Sequence, residues 1–146
     1  MSKFKFKLQK LLDIKIKEEE ESKLKYINVQ NQKRTLEVKL ENLESNYSKY
    51  SRFDDLSDIV EQKIRFNYLN SLTQSIKETN EALIKNEKKL EKAKADFIEK
   101  QIKRKSLETL KENELIRLKK EGERKEQIAN DEFALYAYIR NKANVS

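Results

Sequence analysis

The stretch Leu36-Glu-Val-Lys-Leu40-Glu-Asn-Leu43-Glu-Ser-Asn-Tyr47-Ser-Lys-Tyr50 decides the fold. Leu36, Leu40, Leu43, Tyr47 and Tyr50 follow one another at intervals of 4, 3, 4 and 3 residues. A helix turns once in 3.6 residues, so this spacing lays them along one stripe, the a/d seam of a coiled coil. Extended backwards, the same register reaches Val29, Tyr26, Leu12 and Leu8. Between Leu12 and Tyr26 it falls on Lys15, Glu19 and Ser22, a poor seam, and Ile14, Ile16, Leu24 and Ile27 are candidates for a shifted register there.

Forwards, the pattern breaks at Ser51-Arg52-Phe53-Asp54-Asp55-Leu56-Ser57-Asp58, a cluster of Asp and Ser that reads as a loop. Asp58 stands three residues before Glu61, a spacing similar to a capping box, and Ser57 or Asp58 is suited to cap the next helix. A second periodic stretch follows through Ile59, Phe66, Leu69, Leu72, Ile76, Leu83, Leu90 and Phe97. Its register drifts near Ile98, Ile102, Leu107 and Leu110, as at a stutter, and resumes through Leu115, Leu118, Ile128, Phe133 and Tyr136. Gly122 is a soft spot in this run and not its end, since neither Pro nor a turn cluster accompanies it.

The expected architecture is all-α: one coiled-coil domain over 1–146, with helices near 4–50 and 58–141 and a turn near 51–57. The helices would span roughly 70 Å and 125 Å. A short connection between long helices favours an antiparallel hairpin. A turn centred on 54–55 pairs positions that sum to about 109: Leu43 with Phe66, Leu40 with Leu69, Tyr26 with Leu83 and Leu12 with Phe97. The second helix then overhangs by its last ~35 residues, about 50 Å.

Composition narrows the function. The 146 residues include 33 basic and 26 acidic side chains, one Gly, and no Pro, Cys, His or Trp. Lack of His and Cys removes the usual nucleophile–base pairs and zinc sites. A single Gly excludes the phosphate-cradling loops of nucleotide-binding proteins. No catalytic, cofactor-binding or metal-binding residue is expected. The opening MSKFKFKLQKLLDIKIK lacks the apolar run of a secretory signal, and no stretch approaches a membrane span, so a cytoplasmic location is expected.

Five features remain as candidates. The run Glu18–Glu21 cannot converge on one ion, because adjacent helical residues point about 100° apart, and it reads as a solvated face. Lys3, Lys5, Lys7 and Lys10 interleave with Phe4, Phe6 and Leu8, as in an extended segment or a fraying helix start. Such a segment suits an anionic surface, or two phenylalanines covering the neighbouring helix. Residues 85–125 hold 15 Lys/Arg against 9 Asp/Glu, a diffuse excess compatible with phosphates or an acidic protein ring. Tyr47, Tyr50, Phe66 and Tyr68 lie near the expected tip, as seam or as contact patch. Finally, Asp131-Glu-Phe133-Ala-Leu-Tyr136-Ala-Tyr138-Ile-Arg140 is apolar on every face of a helix that has no intramolecular partner, so it calls for another protein or a second copy.

Three segments carry a family resemblance. The opening F-x-F-x-L-x-x-L-L-D (Phe4, Phe6, Leu8, Leu11, Leu12, Asp13) with Glu18, the central Tyr68-Leu69-x-x-Leu72-x-x-x-Ile76, and the closing Asp131-Glu132-Phe133-Ala134 with Arg140 resemble the flagellar FliJ family. The resemblance implies a coiled-coil stalk of the bacterial flagellar type III export apparatus, cytoplasmic and peripheral at the inner face of the cell membrane. It implies joined termini that enter the hexameric export ATPase FliI, a tip that contacts the export-gate protein FlhA, and dealings with export chaperones. On this chain the ATPase-binding residues would be Phe4, Phe6, Leu8, Leu11, Leu12, Asp131, Glu132, Phe133, Tyr136 and Arg140. The gate-binding residues would be Leu43, Tyr50, Tyr68 and Leu72. Two other readings compete: a rotor stalk of a related secretion-system or rotary ATPase, and a basic coiled-coil nucleic-acid-binding protein. Rotary stalks usually place more chain between their arms than Ser51–Asp58.

Overall fold

The computed structural model consists of α1, Gln9–Tyr50, and α2, Ile59–Val145. The structure describes residues 3–52 and 58–145. Among them there is no strand, and the two helices pack on one another as an all-α helical hairpin. With no Pro and no residue at positive φ among those described, nothing interrupts the 87 residues of α2, and it runs straight through Gly122. Ser57 and the centre of the expected turn lie outside the described residues. Asp58 accepts the first i→i+4 bond, from the Gln62 N–H at 2.9 Å, which puts Asp58 at the N-cap position. Glu61 in the first turn suits the positive end of the helix dipole.

The described residues group into two units, one of 16–52 with 58–101 and one of 3–15 with 102–145.

In the central unit the helices run antiparallel, but the pairing differs from the expected one. Tyr26 stacks on Phe97, the expected neighbour of Leu12, with ring centroids 6.1 Å apart. Asn86 Nδ2 lies 3.5 Å from the Val29 carbonyl, and Lys33 pairs with Glu87 at 3.1 Å. Tyr50 meets Tyr68 edge-on at 5.1 Å. Each partner lies further along α2 than a sum of 109 would place it. Phe66, expected opposite Leu43, is 63% exposed. The cause is the repeat itself: sliding one helix by a heptad again sets apolar on apolar, so matching alone does not select a register. Closure is also lopsided. Arg65 Nη1 donates to the Arg52 carbonyl at 2.7 Å, which ties the chain just past α1 to the second turn of α2.

The phase along each helix is simpler than expected. On α1, Leu12, Lys15, Glu19, Ser22, Tyr26, Val29, Lys33, Leu36, Leu40 and Leu43 are buried or half-buried in unbroken 3–4 alternation. No shift to Ile14, Ile16, Leu24 and Ile27 occurs; all four are exposed. Apolar stripes on both sides of the weak segment fix its phase, and Ser22 settles by donating to the Glu19 carbonyl at 2.8 Å. On α2 the stripe runs through Leu69, Leu72, Ile76, Thr79, Leu83, Asn86, Leu90, Ala93 and Phe97 and on through Lys100, Arg104, Leu107, Lys111 and Glu114. The expected stutter is absent. Ile98, Ile102 and Leu110 are exposed, while long basic side chains lie in the seam along their aliphatic stems.

In the terminal unit, residues 3–6 are not helical and α1 begins at Gln9, later than the expected residue 4. The alternation there sorts by side: Phe4 is half-buried and Phe6 only 7% exposed, whereas Lys3, Lys5 and Lys7 face solvent. Lys111 Nζ donates to Gln9 Oε1 at 2.7 Å, and Gln9 Nε2 donates to Asp13 Oδ1 at 2.8 Å. Beyond Glu121 every side chain from 122 to 144 is exposed. The overhang is therefore real but shorter than the expected 35 residues, because the shifted pairing carries the first arm further along α2, with Gln9 meeting Lys111. Ile128, Phe133 and Tyr136 belong to no intramolecular seam.

The apolar core among described residues is correspondingly thin: Phe6, Leu12 and Leu72, with Ser22, Thr79 and Asn86 as buried polar neighbours.

Candidate docking surfaces

The first surface lies where α1 ends. Tyr50 and Tyr68 pack at an interplanar angle of 81°, the edge-to-face arrangement favoured by ring quadrupoles. Each still exposes about 40% of its surface. Together with Glu61, Ile64 and Arg65 they line a groove of about 540 Å³. Seam packing and contact surface, the two readings of these aromatics, thus coexist in the same residues. Of the four expected gate-binding residues, Tyr50 and Tyr68 present free surface, Leu43 is half-buried and Leu72 is buried. Leu72 belongs to the core and does not offer a face to a partner. Ile59, Val60, Ile64 and Phe66 are strongly exposed beside them. Sequence reading assigned Ile59 and Phe66 to the seam, since they stand seven residues apart. The available contrary signal was Val60 and Ile64, which continue an apolar face off that stripe.

The second surface is the overhang. Phe133 is 80% exposed, and Leu135, Tyr136, Tyr138 and Ile139 all exceed half. Asp131, Glu132 and Arg140 are exposed among them. Side chains successive on a helix fan out by 100°, so this apolar surface encircles the rod and does not form a stripe.

The expected ATPase-binding residues at the start of the chain behave differently. Phe6 and Leu12 are buried, Phe4 is half-buried, and Leu8 and Leu11 are about 40% exposed. Phe4 lines a groove with Leu115 and Leu118, rimmed by Lys3, Lys5 and Lys119. Asp131 lies thirteen residues, about 20 Å of helix, beyond Leu118. The structure therefore does not bring Phe4–Leu12 beside Asp131–Arg140; the opening segment packs lower on α2.

Glu18 and Glu19 are half-buried while Glu20 and Glu21 are exposed, and no group of acidic side chains among the described residues could hold a metal ion. Among the described residues, no helix is long and apolar enough to cross a membrane.

No curated protein and no solved structure matches the chain. A family model does, that of the flagellar FliJ protein, over residues 4–143. The match spans the phenylalanine segment, both helices and the aromatic overhang, so this chain belongs to the FliJ family and is a component of the flagellar export apparatus.

Proposed function

We propose that the protein is a non-enzymatic coupling stalk. The overhang of α2 inserts into the central opening of the hexameric export ATPase FliI. The tyrosine groove at the far end of α1 contacts the export gate FlhA. The observation that carries this reading is the ring of exposed apolar and aromatic side chains from Phe133 to Ile139 on a helix with no partner of its own. An all-round apolar helix is stable in water only when another surface covers it. A bore lined by six equivalent subunits contacts a rod on all sides, which a flat interface cannot do.

The stalk does no chemistry. Its contribution is mechanical: it favours ring assembly and passes the state of the ATPase to the gate. Phe133, Tyr136 and their neighbours are the anchors in the ring, with Asp131, Glu132 and Arg140 setting their orientation. Phe4, Phe6, Leu8, Leu11 and Leu12 act by fixing the first arm against α2, so that the overhang leaves the coiled coil at a defined place. Tyr50 and Tyr68 make the gate contact, while Leu72 belongs to the core. The protein works at the cytoplasmic face of the membrane through these protein contacts, where export chaperones also meet it.

The test is pull-down and ATP hydrolysis with the FliI of the same organism, using the full chain and a variant ending at Asn130. Binding and stimulated hydrolysis by the full chain, both lost in the shortened one, is the expected result. Equal stimulation by both would remove the overhang from the interface.

A further inference from the structure

We propose that residues 3–15 and 102–121 form a basic collar that seats on an acidic protein rim surrounding the opening into which the overhang passes. The proposal rests on the insertion reading above and adds the chemistry of the partner surface.

The charge of this chain is partitioned by its structure. The central unit, 16–101, carries 17 basic and 17 acidic side chains and is neutral. The overhang, 122–146, carries four of each and is neutral as well. The whole net charge of +7 falls on residues 3–15 and 102–121, with twelve basic and five acidic side chains. Several acids there are engaged with bases one turn away: Arg104 with Glu108 at 2.7 Å and Arg117 with Glu121 at 3.7 Å. The excess shows on the surface as Lys3, Lys5, Lys7, Lys10, Lys119 and Lys120, all exposed.

Two features select a protein as the partner. A membrane-surface segment needs an exposed apolar face beside its lysines. Here Phe6 is buried and Phe4 is half-buried against Leu115 and Leu118, so the collar withholds its aromatic side chains, while its exposed aliphatic ones, among them Leu8, Ile14, Ile102 and Ile116, are distributed over both helices. A polyphosphate chain would cover the lysines and leave the adjoining apolar overhang in water. A protein with an acidic mouth and an apolar bore covers both, in the order in which this helix presents them. Charge at such a rim acts on encounter rate and depth of seating.

Two full-length variants test this. One carries Lys3→Glu, Lys5→Glu, Lys119→Glu and Lys120→Glu; the control carries Lys23→Glu, Lys25→Glu, Lys63→Glu and Lys77→Glu in the central unit. Each brings the net charge from +7 to −1. The corresponding Lys→Gln set replaces the collar variant if its helical circular dichroism is lost. The expected result is about tenfold or greater weakening of binding to the FliI ring by the collar variant relative to the control. That gap should close as salt rises from about 0.1 M to 1 M, where the screening length falls from about 10 Å to 3 Å. Equal binding of collar and control variants, or a gap insensitive to salt, overturns the collar and leaves insertion standing. Failure of the unmodified chain to bind the ring overturns both. Equal affinity of the unmodified chain for phosphatidylglycerol vesicles or duplex DNA, lost in the collar variant, also overturns it in favour of a general polyanion site.

Discussion

Replacing Asn86 by Leu should stabilise the coiled coil. Asn86 is 5% exposed and sits in the α2 stripe between Leu83 and Leu90. Its Nδ2 reaches the Val29 carbonyl only at 3.5 Å, the limit of a hydrogen bond, and its Oδ1 is buried with no partner. The Val29 carbonyl lies inside α1 and keeps its helical bond without Asn86. Relief of one unsatisfied buried acceptor is worth about 1–3 kcal/mol. Leu adds about 1.5–3 kcal/mol on full burial, roughly half of that against a single partner helix. Overpacking does not cancel this, because Asn86 borders an open groove whose floor includes the small Ala82. Some loss of register specificity is the accompanying cost, since a buried seam Asn disfavours misaligned pairings. The net expectation is a gain of about 1–3 kcal/mol. With a urea slope near 2 kcal/mol/M, the midpoint should rise by about 0.5–1.5 M. Urea titration followed by circular dichroism at 222 nm measures it, with Asn86→Ala as the companion that relieves the acceptor without adding burial. If Asn86→Leu unfolds at lower urea than the native chain, the Asn86 amide contributes net stability and the reasoning is wrong.

Other outcomes follow from the same geometry. In a double-mutant cycle, Tyr50→Ala and Tyr68→Ala should couple by about 0.5–1.5 kcal/mol, the usual range for edge-to-face pairs, and a coupling near zero would deny the ring contact. Gly122→Ala should raise hydrogen-exchange protection of the amides around it by about 1 kcal/mol, because an added Cβ meets nothing within 4 Å and the helix is already formed there. Faster exchange in that variant would indicate that Gly122 is needed for a bend. Ending the chain at Asn130 should leave the unfolding free energy from urea titration unchanged within about 0.5 kcal/mol, since the side chains of 131–144 are all exposed; a larger loss would place them in an intramolecular contact.

Most of the fold was legible because the coiled coil announces itself locally. The spacing Leu36–Tyr50 requires only 15 consecutive residues to be read, and the missing Pro and near-missing Gly leave helices as the one economical backbone. The unpartnered character of Phe133–Ile139 was equally visible, since an all-round apolar helix is improbable in water whatever lies elsewhere. The pairing of the two helices was not. A heptad repeat looks the same after a slide of seven residues, so apolar matching supported Leu43 with Phe66, a side chain that is in fact 63% exposed. The phase in weak stretches was misread for a related reason. Isoleucines at 14, 16, 98 and 102 look like seam, but the stripe is already fixed by stronger neighbours on either side.

The sequence by itself determined that this chain is helical, that it has two arms of unequal length, that the last stretch of its second helix is apolar on every face, and that it carries no His or Cys. These follow from composition and short-range periodicity, which every residue's own neighbours enforce. Only the tertiary structure decided which residue faces which: Tyr26 on Phe97, Tyr50 on Tyr68, Arg65 on the chain after α1. It also decided that Phe4 packs near Leu115 and Leu118, separate from the aromatic end, and that the residues carrying the net charge share the terminal unit. The physical reason is one of range. Helix formation and stripe phase are set within a few turns, whereas the register between two repetitive helices rests on a few distant, specific contacts that repeat patterns leave degenerate.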